Sequence, residues 1–371
     1  MERRTFLKKS TGGAVFSSLA FSSIRTLAAG EPIKVGVITQ EKGPHLSIYL
    51  DALAKAEGVA SVALSDQSGT TFEKAKEVLG GKLTTFRDHD KMLREVKPRS
   101  VILSLEAHVA PPLIRKSLES GAHVLAEKPS CVRAEDFEPL VQLANSKNLS
   151  LMLALGTRLH PGALKAKELV DSGLLGKPYG SHLVFVADQT RLTRPRFHRS
   201  WLAFKDKAGG GQLIWLGIHY LDLIQYLTGD RIEQVSAVTR NVGGQPVEIE
   251  DAVALALKFK KGMVGTLHGG YYLDKGYHLG ITLWGSKGWV KLDPMHSPVT
   301  WYSTHPDAPK GVQSFSFPME PGAYFYLVQS AVDVARGVGK APLTGEDSLH
   351  VLRVIFGAYR ASDTGRTQTI G

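Results

Sequence analysis

Short apolar runs alternate with helical segments through the first half of the chain. Six of these runs have the pattern of strands: residues 33–39, 62–66, 83–86, 101–105, 123–126 and 151–155. The segments between them include helices at 71–79 and 111–119, and Thr70 and Glu73 have the spacing of a capping box. This alternation predicts a parallel sheet with helices on both faces, whose ligands bind at the carboxyl ends of the strands.

A triple glycine at residues 209–211 leads into a long segment, 212–227, in which apolar residues recur at helical spacing. One stripe of this helix is predicted to pack in the core: Leu216, Tyr220, Leu223 and Leu227. A second face carries Trp215, His219 and Asp222, and a packed helix has little need of an imidazole beside a carboxylate. We predict that this face forms the wall of a site. The alternative is a structural histidine held by Asp222.

The first 30 residues have the features of a twin-arginine signal peptide. Arg3 and Arg4 precede a weakly apolar run over 11–24 and a small-residue stretch over 26–30. That run is too short and too rich in glycine and serine to cross a bilayer, so no stable membrane insertion is predicted. We therefore expect an exported, periplasmic protein whose fold begins near residue 31. A cytoplasmic protein with a misleading leader is the alternative.

Composition indicates an ordinary globular protein and excludes some partners. The chain has 371 residues, of which 43% are hydrophobic and 22% charged, and this length predicts two domains. The net charge of +10 includes +4 from the predicted signal peptide. No basic stripe with interleaved aromatic residues is present, so no nucleic-acid partner is predicted. Cys131 is the one cysteine and cannot form an internal disulfide, and no metal site is predicted.

The turn after the first predicted strand differs from the usual dinucleotide-binding sequence. It runs from Thr39 to His45 with Gly43 as its one glycine, in place of G-x-G-x-x-G. Pro44 suits the first turn of a helix, and the amides around His45 can hold a phosphate. Asp66, at the end of the second strand, stands where a carboxylate binds the adenosine ribose, with no arginine beside it for a 2′-phosphate. This favours NAD over NADP. The alternative for Asp66 is a role in its own turn.

Glu127-Lys128-Pro129 directly follows the buried run 123–126 and is the catalytic candidate of the first half. A water-poor cleft at the end of a strand disfavours the charged form of a lysine, which can then exchange a proton with a sugar hydroxyl. Pro129 fixes the turn that directs Lys128. An exposed ion pair in a loop is the alternative.

The order of these motifs resembles one known family. Glu-Lys-Pro after a strand, then Gly-Gly-Gly-x-Leu and Gly-x-His-x-x-Asp, together with Gly176-Lys177-Pro178 and Glu250-Asp251, is similar to the glucose-fructose oxidoreductase, inositol dehydrogenase and rhizopine-catabolism family (Gfo/Idh/MocA). The resemblance implies an α/β protein with an N-terminal Rossmann-like parallel sheet over 31–155. It also implies a C-terminal α+β domain over 156–371, with a large open, mostly antiparallel sheet, a sugar bound between the domains, and a homo-oligomer.

The resemblance also implies roles for particular residues. Lys128 matches the family lysine that acts in proton transfer, and His219 matches the histidine that contacts or deprotonates the reacting hydroxyl. Arg158 falls among the polar residues on the substrate side. The predicted NAD-binding residues are Thr39, Gly43, His45, Asp66, Leu105, Glu106, His108 and Glu127.

Besides the turn after the first strand, two further segments depart from the family pattern. Leu105-Glu106-Ala107-His108 replaces a Thr-Pro-Asn type segment that flanks the nicotinamide, and Trp215 stands where many members have an aspartate. Loss of that aspartate removes a proton-handling group, while an indole offers a flat apolar platform for a sugar ring. We therefore expect a sugar reaction other than inositol oxidation.

Two loops supply further candidates for substrate binding. The segment 187–201 carries four arginines, a histidine and aromatic residues, and guanidinium groups suit oxygen-rich or carboxylate-bearing ligands. The predicted substrate-binding residues are Arg158, Arg191, His198, Trp201, Trp215, Asp222 and Tyr272. The alternatives are a basic loop that packs on an oligomer partner and, for the segment 271–278, a simple hairpin.

The sequence thus predicts an exported, NAD-dependent enzyme that acts on a sugar or glycoside by hydride transfer. The twin-arginine route exports folded proteins, often with a cofactor inside, and little free dinucleotide is available outside the cytoplasm. We therefore expect the cofactor to stay bound and to be recycled within each cycle. The alternatives are redox-neutral glycoside cleavage or epimerisation through a keto sugar, and a non-catalytic sugar-binding protein.

Overall fold

The computed structural model describes residues 30–371, so the predicted signal peptide lies outside the described residues. The first sheet consists of β1 (Ile33–Thr39), β2 (Val59–Ser65), β3 (Leu83–Phe86), β4 (Ser100–Ser104), β5 (His123–Ala126) and β6 (Leu151–Leu153). All six strands are parallel, in the order β3-β2-β1-β4-β5-β6. The order reverses between β1 and β4, which opens a crevice at the carboxyl ends of these two strands.

Helices connect the parallel strands, because such strands need a crossover between them. They are α1 (Leu46–Lys55), α2 (Phe72–Leu79), α3 (His89–Val96), α4 (Ala110–Glu119) and α5 (Ala134–Ser146). Helices cover both faces of the sheet, so its central strands are buried along their length: all five residues of β4 are buried, including the serines at its two ends.

The second sheet has nine strands and is antiparallel except where β7 pairs with β10. Its strands are β7 (Pro178–Asp188), β8 (Ile232–Arg240), β9 (Ala252–Phe259), β10 (Val264–Leu273), β11 (Tyr277–Gly285), β12 (Gly288–Asp293), β13 (His296–Ser303), β14 (Gln313–Phe315) and β15 (Gln368–Thr369). They lie in the order β14-β13-β12-β11-β7-β10-β9-β8-β15. Buried and exposed residues alternate along β9, as expected when one face packs on a core and the other is open.

The second domain contains six further helices, three of which pack on one face of the nine-stranded sheet. The helices are α6 (Pro161–Asp171), α7 (Pro195–His198), α8 (Lys205–Ala208), α9 (Ile218–Thr228), α10 (Ala323–Ala335) and α11 (Gly345–Thr364), and α9 is preceded by a π-helix, Leu213–Gly217. The three that pack on the sheet are α6, α9 and α11. Short 3₁₀ turns lie at Gly80–Lys82, Gly156–Leu159 and Trp201–Ala203.

The last two long helices connect the domains. Helix α10 packs on α1 and β5, and α11 packs on α5 and β6 of the first domain as well as on β8. The N–H of Leu153 donates to the hydroxyl of Ser348 at 3.2 Å, and Arg353 forms an ion pair with Glu138 at 2.9 Å. Both domains therefore meet along the C-terminal segment.

The predicted strands of the first sheet agree with the structure to within three residues at either end. The predicted capping box at Thr70 and Glu73 is wrong. Helix α2 begins at Phe72, and the N–H of Thr71 bonds to the carboxylate of Asp66 instead. Within residues 30–371, none of the helices has the length and apolar character that crossing a membrane requires.

Candidate active site

A cavity of about 620 Å³ lies between the two domains. It is bounded by the loops after β1 and β5, by the helix after the triple glycine, and by β7, β10 and β11. Most of the side chains that line it are aromatic or basic, among them Lys42, His45, Lys128, His160, Phe185, Arg191, Phe197, Trp201, Trp215, His219, Tyr220, Tyr271, Tyr277 and Tyr324. Ligands of a doubly wound sheet bind at this end of the strands, so the cavity is the candidate active site.

The helix after the triple glycine presents two neighbouring rows of side chains to the cavity. They are Trp215, Leu216, His219 and Tyr220. The π-helix Leu213–Gly217 at its start holds one more residue per hydrogen-bonded ring than an α-helix, which widens the face presented there. The predicted core stripe is buried at Tyr220, Leu223 and Leu227, and Leu216 is partly buried against the same core; Leu216 and Tyr220 also line the cavity.

A buried carboxylate fixes the start of this helix. Glu250 accepts hydrogen bonds from the N–H groups of Gly211 (2.7 Å) and Leu213 (2.9 Å) and from the hydroxyl of Tyr359 (2.9 Å). A Cβ atom at Gly211 would lie 2.0 Å from the carbonyl oxygen of Glu250, so only glycine fits. The positive end of the helix dipole also stabilises a carboxylate at this position.

Lys128 lies in the cavity wall immediately after β5. The residue is 4% exposed, its ammonium donates a 2.7 Å hydrogen bond to the carbonyl of Trp215, and it lies 4.5 Å from the centre of an indole ring of the same residue. Burial lowers the pKa of Lys128 to about 8; the charge of Glu127 opposes this shift and that of Arg191 adds to it. The ammonium can therefore give up its proton at mildly alkaline pH.

His219 faces the same cavity from α9. Burial lowers the pKa of His219 well below its usual value, and the positive charges of Lys128 and His45 act in the same direction. The imidazole is therefore neutral at neutral pH and can accept a proton. Its Nδ1 is buried and has no hydrogen-bond partner within residues 30–371. The cavity thus holds two groups able to take a proton from a hydroxyl.

A second carboxylate lies behind Lys128. Glu127 is 1% exposed, one of its oxygens accepts from the hydroxyl of Tyr49, and the other lies 3.2 Å from Nδ1 of His45. The hydroxyl of Tyr324 lies 3.0 Å from the same ring nitrogen. Burial raises the pKa of Tyr49 and of Tyr324 well above the usual value, and the Glu127 charge adds to this, so both phenols stay protonated. Glu127 lies beside His45 and does not line the cavity.

Arg158 and Asp222, both predicted to bind substrate, bind each other instead. Nε and Nη2 of Arg158 donate to the two carboxylate oxygens at 2.7 and 2.5 Å, and Nη1 donates to the carbonyl of Pro342 at 3.2 Å. Both residues are buried, and neither lines the cavity. Thr157 and His160, from the same segment of chain as Arg158, line it instead.

The loop before the triple glycine contributes some of the predicted residues. Arg191 and Trp201 line the cavity. His198 does not: its Nε2 lies 2.5 Å from the carbonyl oxygen of Leu192, and the neighbouring Phe197 lines the cavity instead. His198 therefore stabilises the loop.

The predicted substrate contact of Tyr272 is also corrected. Side chains alternate between the two faces of a strand, and in β10 it is Tyr271 that lines the cavity. Tyr272 packs over Gly270 on the other face, and a Cβ atom at Gly270 would lie 2.1 Å from the Tyr272 ring. The hydroxyl of Tyr272 donates to the carbonyl of Gly269 at 3.1 Å.

The dinucleotide crevice lies between the turns that follow β1 and β4. The Thr39 hydroxyl donates to the carbonyl of Ser104 at 3.0 Å, and the Gln40 amide donates to the Glu106 carboxylate at 2.7 Å. A Cβ at Gly43 would lie 2.3 Å from Oγ1 of Thr39 and 2.6 Å from the carbonyl oxygen of Ser104. Gly43 therefore permits the close backbone approach that motif glycines allow in dinucleotide-binding turns.

These residues fit NAD at the turn itself. Helix α1 begins directly after it, so its N-terminal amides and dipole favour a diphosphate; Lys42 in the same turn is paired with Glu41 at 3.0 Å. His45 ends the turn in the left-handed conformation, with φ of 57°. Leu105 is 5% exposed, and His108 lies 3.6 Å from the carboxylate of Glu106.

Asp66 serves its own turn. Its carboxylate accepts hydrogen bonds from the N–H and hydroxyl of Ser68 (3.0 and 2.8 Å) and of Thr71 (3.1 and 2.9 Å). Burial opposes the charge, yet these bonds lower the pKa of Asp66. The geometry therefore shows the alternative role of Asp66, in which its carboxylate stabilises its own turn. The sequence also missed Arg87, which reaches this turn and donates to the carbonyls of Gln67 and Ser68.

Comparison with known proteins identifies the family of both domains. Residues 15–155 match a family model described as oxidoreductase family, NAD-binding Rossmann fold. Residues 163–291 match the GFO/IDH/MocA C-terminal domain.

Individual relatives are sugar enzymes of low identity. The chain is 22% identical over 341 residues to a myo-inositol 2-dehydrogenase of Thermotoga maritima, covering 90% of this chain and 98% of that one. It is 24% identical over 245 residues to a 2,7-anhydro-N-acetylneuraminate hydratase of Mediterraneibacter gnavus, covering 65% and 62%. A solved levoglucosan dehydrogenase, in complex with NADH and levoglucosan, has a TM-score of 0.80 at 16% identity and covers 91% of this chain and 99% of its own.

Proposed function

Because the chain belongs to the Gfo/Idh/MocA family of NAD-dependent oxidoreductases, we propose that it is an exported enzyme that acts on a sugar or glycoside and keeps its NAD tightly bound. The observation that carries the proposal is the position of Lys128 and His219 in one cavity beside the dinucleotide crevice. The boundary between the NAD-binding domain and the substrate domain is proposed at residues 155 and 156.

Each of the two residues has a distinct part in the proposed reaction. When bound, NAD would supply the group that accepts the hydride and can return it. Lys128, with a pKa lowered to about 8, exchanges the proton of the reacting hydroxyl. His219, neutral and unpaired at Nδ1, positions that hydroxyl or takes a proton from it. Trp215 and Tyr271 provide apolar faces for the sugar ring.

The proposed export bears on the fate of the cofactor. Arg3 and Arg4 and the small-residue stretch before residue 31 support the twin-arginine route and a periplasmic location. Little free dinucleotide is available there, so we propose that the reduced cofactor is reoxidised by a second substrate or by the reacting sugar itself.

A redox-neutral reaction is the second candidate, and a specific observation favours it. Oxidation to a keto sugar acidifies the neighbouring C–H bond, and a neutral His219 can remove that proton, which leads to elimination or epimerisation once the hydride is returned. The relative named as a hydratase supports redox-neutral chemistry within this family.

The proposal is tested by incubating the purified protein with a panel of sugars and glycosides in deuterated water. Mass spectrometry then detects keto sugars, cleaved glycosides and carbon-bound deuterium. We expect at least one of these products with the wild type and none with Lys128→Ala. Full activity of the Lys128→Ala protein would contradict the assignment.

We also propose that the open face of the second sheet joins copies of the chain into a homo-oligomer. A shallow cavity of about 590 Å³ on the second sheet is lined partly by Val264 and Trp284, which are exposed. Sedimentation velocity tests this directly, since a monomer at micromolar concentration would refute it.

A further inference from the structure

The candidate active site has more positive than negative charge. Within residues 30–371, Lys128, Arg191 and one carboxylate, Glu320, line it, together with Lys42, which is already paired with Glu41 at 3.0 Å. Glu127 lies outside the lining; it accepts a hydrogen bond from Tyr49 and lies 3.2 Å from Nδ1 of His45. A cavity of this charge attracts anions and disfavours cations.

Arg191 has no carboxylate to pair with. Within the described part of the chain, its guanidinium forms no ion pair; it lies over the ring of Tyr271, 5.5 Å from the ring centre. Asp188 is close enough to sense its charge, but that carboxylate accepts hydrogen bonds from Thr190. Arg191 also forms a side-chain hydrogen bond with Tyr271, and the other planar donors of its guanidinium remain available for an oxygen ligand.

Arg191 also lies near Lys128, since its charge contributes to lowering the pKa of that lysine. Two cations that share one cavity repel each other, and an anion between them or beside either one relieves the repulsion. The electrostatic repulsion between Arg191 and Lys128 is therefore smallest when a negatively charged ligand is bound.

The remaining polar atoms of the wall are those that an oxygen-rich ligand would satisfy. Trp215 is 8% exposed and its Nε1 has no hydrogen-bond partner within residues 30–371; both ring nitrogens of His160 are also buried and unpaired there. Buried donors without partners are costly, so a ligand with several acceptors is expected. The aromatic lining suits the apolar face of a pyranose ring.

We propose that the substrate is a sugar acid: a pyranose whose carboxylate pairs with Arg191 while its reacting hydroxyl lies at Lys128 and His219. This rests on the proposed function, because it names the substrate class of the same site. Arg191 is a specificity-determining residue in this arrangement, and Lys128 remains the group that exchanges a proton.

The test is calorimetric titration of the purified protein with matched pairs of sugars. The pairs are glucose with glucuronate, galactose with galacturonate, and mannose with mannuronate, and glucose 6-phosphate is a further probe. We expect the acid of at least one pair to bind about 10- to 100-fold more tightly than its neutral partner, which is the range for a hydrogen-bonded charge pair.

Two variants show whether Arg191 is responsible. In Arg191→Gln the affinities for the acid and for its neutral partner should differ by no more than about 2-fold. The variant removes the charge that binds the carboxylate and changes the affinity for the neutral sugar little. Arg196→Gln, from the same loop but outside the cavity lining, is the matched control and should keep the full preference. A preference that survives in Arg191→Gln, or is lost equally in Arg196→Gln, would overturn the role of Arg191.

The remaining outcomes separate this inference from the function on which it rests. Neutral sugars that bind as tightly as the acids and are turned over would overturn the sugar-acid inference and leave the enzyme assignment standing. Tighter binding of glucose 6-phosphate than of any acid would overturn the choice of carboxylate. If no sugar of either kind binds or reacts, both proposals fail.

Discussion

Lys128 is the residue through which the first domain acts on the cavity, and its environment sets its protonation. Burial lowers the pKa of Lys128 to about 8, so the neutral form that can accept a proton becomes populated as the pH rises through that value. A reaction that uses this lysine as a base should therefore accelerate between about pH 7 and pH 9.

Lys128→Arg separates the charge of this residue from its ability to exchange a proton. Arginine stays protonated throughout, so the variant should lose the rise in rate near pH 8 and about 10²- to 10⁴-fold in kcat, the usual contribution of a general base. Its affinity for an anionic sugar should be kept. We would measure kcat from pH 6 to pH 10. A rise in rate that persists in Lys128→Arg would assign that titration to another group.

Asp222→Ala tests the correction made to the predicted substrate contacts. The variant leaves Arg158 buried without its partner, which should cost about 3–5 kcal/mol of the free energy of unfolding, whereas Asp222→Asn should cost less because the amide oxygen still accepts a hydrogen bond. Urea denaturation measures both. Unchanged stability together with lost sugar affinity would mean that Asp222 contacts substrate after all.

At the scale of elements, the helical segment that begins with the π-helix Leu213–Gly217 supplies Trp215, Leu216, His219 and Tyr220 to the cavity wall. Its position depends on Gly211 and on the carboxylate of Glu250, which accepts two N–H groups at the start of the helix and the hydroxyl of Tyr359. Because the glycine lies against the backbone of Glu250, a change there moves Trp215 and His219 together.

Gly211→Ala should therefore destabilise the protein and displace the helix. A Cβ would lie 2.0 Å from a backbone carbonyl oxygen, and relieving such a contact costs about 1–3 kcal/mol or more. Gly280→Ala in β11 is the matched control, because no atom lies within 4 Å of its Cβ position. Thermal denaturation and tryptophan fluorescence report the two effects. Equal behaviour of the two variants would contradict the proposed close approach.

The predictions from the sequence were most accurate for elements whose signal is local. The strands of the first sheet are short apolar runs between helices, and β1, β3 and β5 have the predicted ends. The π-helix Leu213–Gly217 has no comparable signal in the local sequence, because it depends on tertiary contacts between Gly211 and Glu250. Which of the two tyrosines, Tyr271 or Tyr272, points into the cavity depends on the register of β10 against β7. Two adjacent tyrosines in the sequence do not reveal that register.

Side-chain partners distant in sequence were the least predictable feature of the site. Arg158 and Asp222 lie 64 residues apart in the chain, so the sequence does not reveal the bidentate pairing that removes both from the cavity. Likewise, the hydroxyl of Tyr324, far along the chain, meets His45 in the first turn. Such pairs become visible only when the two domains are placed together.

At the scale of the whole molecule, the cavity depends on both domains. The first supplies Lys128 and the dinucleotide crevice, the second supplies His219, Arg191 and the aromatic wall, and α10 and α11 pack against both. This arrangement brings the groups proposed to handle the cofactor and the sugar together in one cavity between the domains.

The central claim, that this chain is an enzyme with a tightly held NAD, is tested most directly by its nucleotide content. The mature protein would be purified without added cofactor and denatured, and the released material identified by mass spectrometry. The account predicts close to one NAD or NADH per chain. A protein that releases no nucleotide and takes up neither NAD nor NADP when they are added would contradict it, and Lys128 and His219 would then be ligands of a sugar-binding protein.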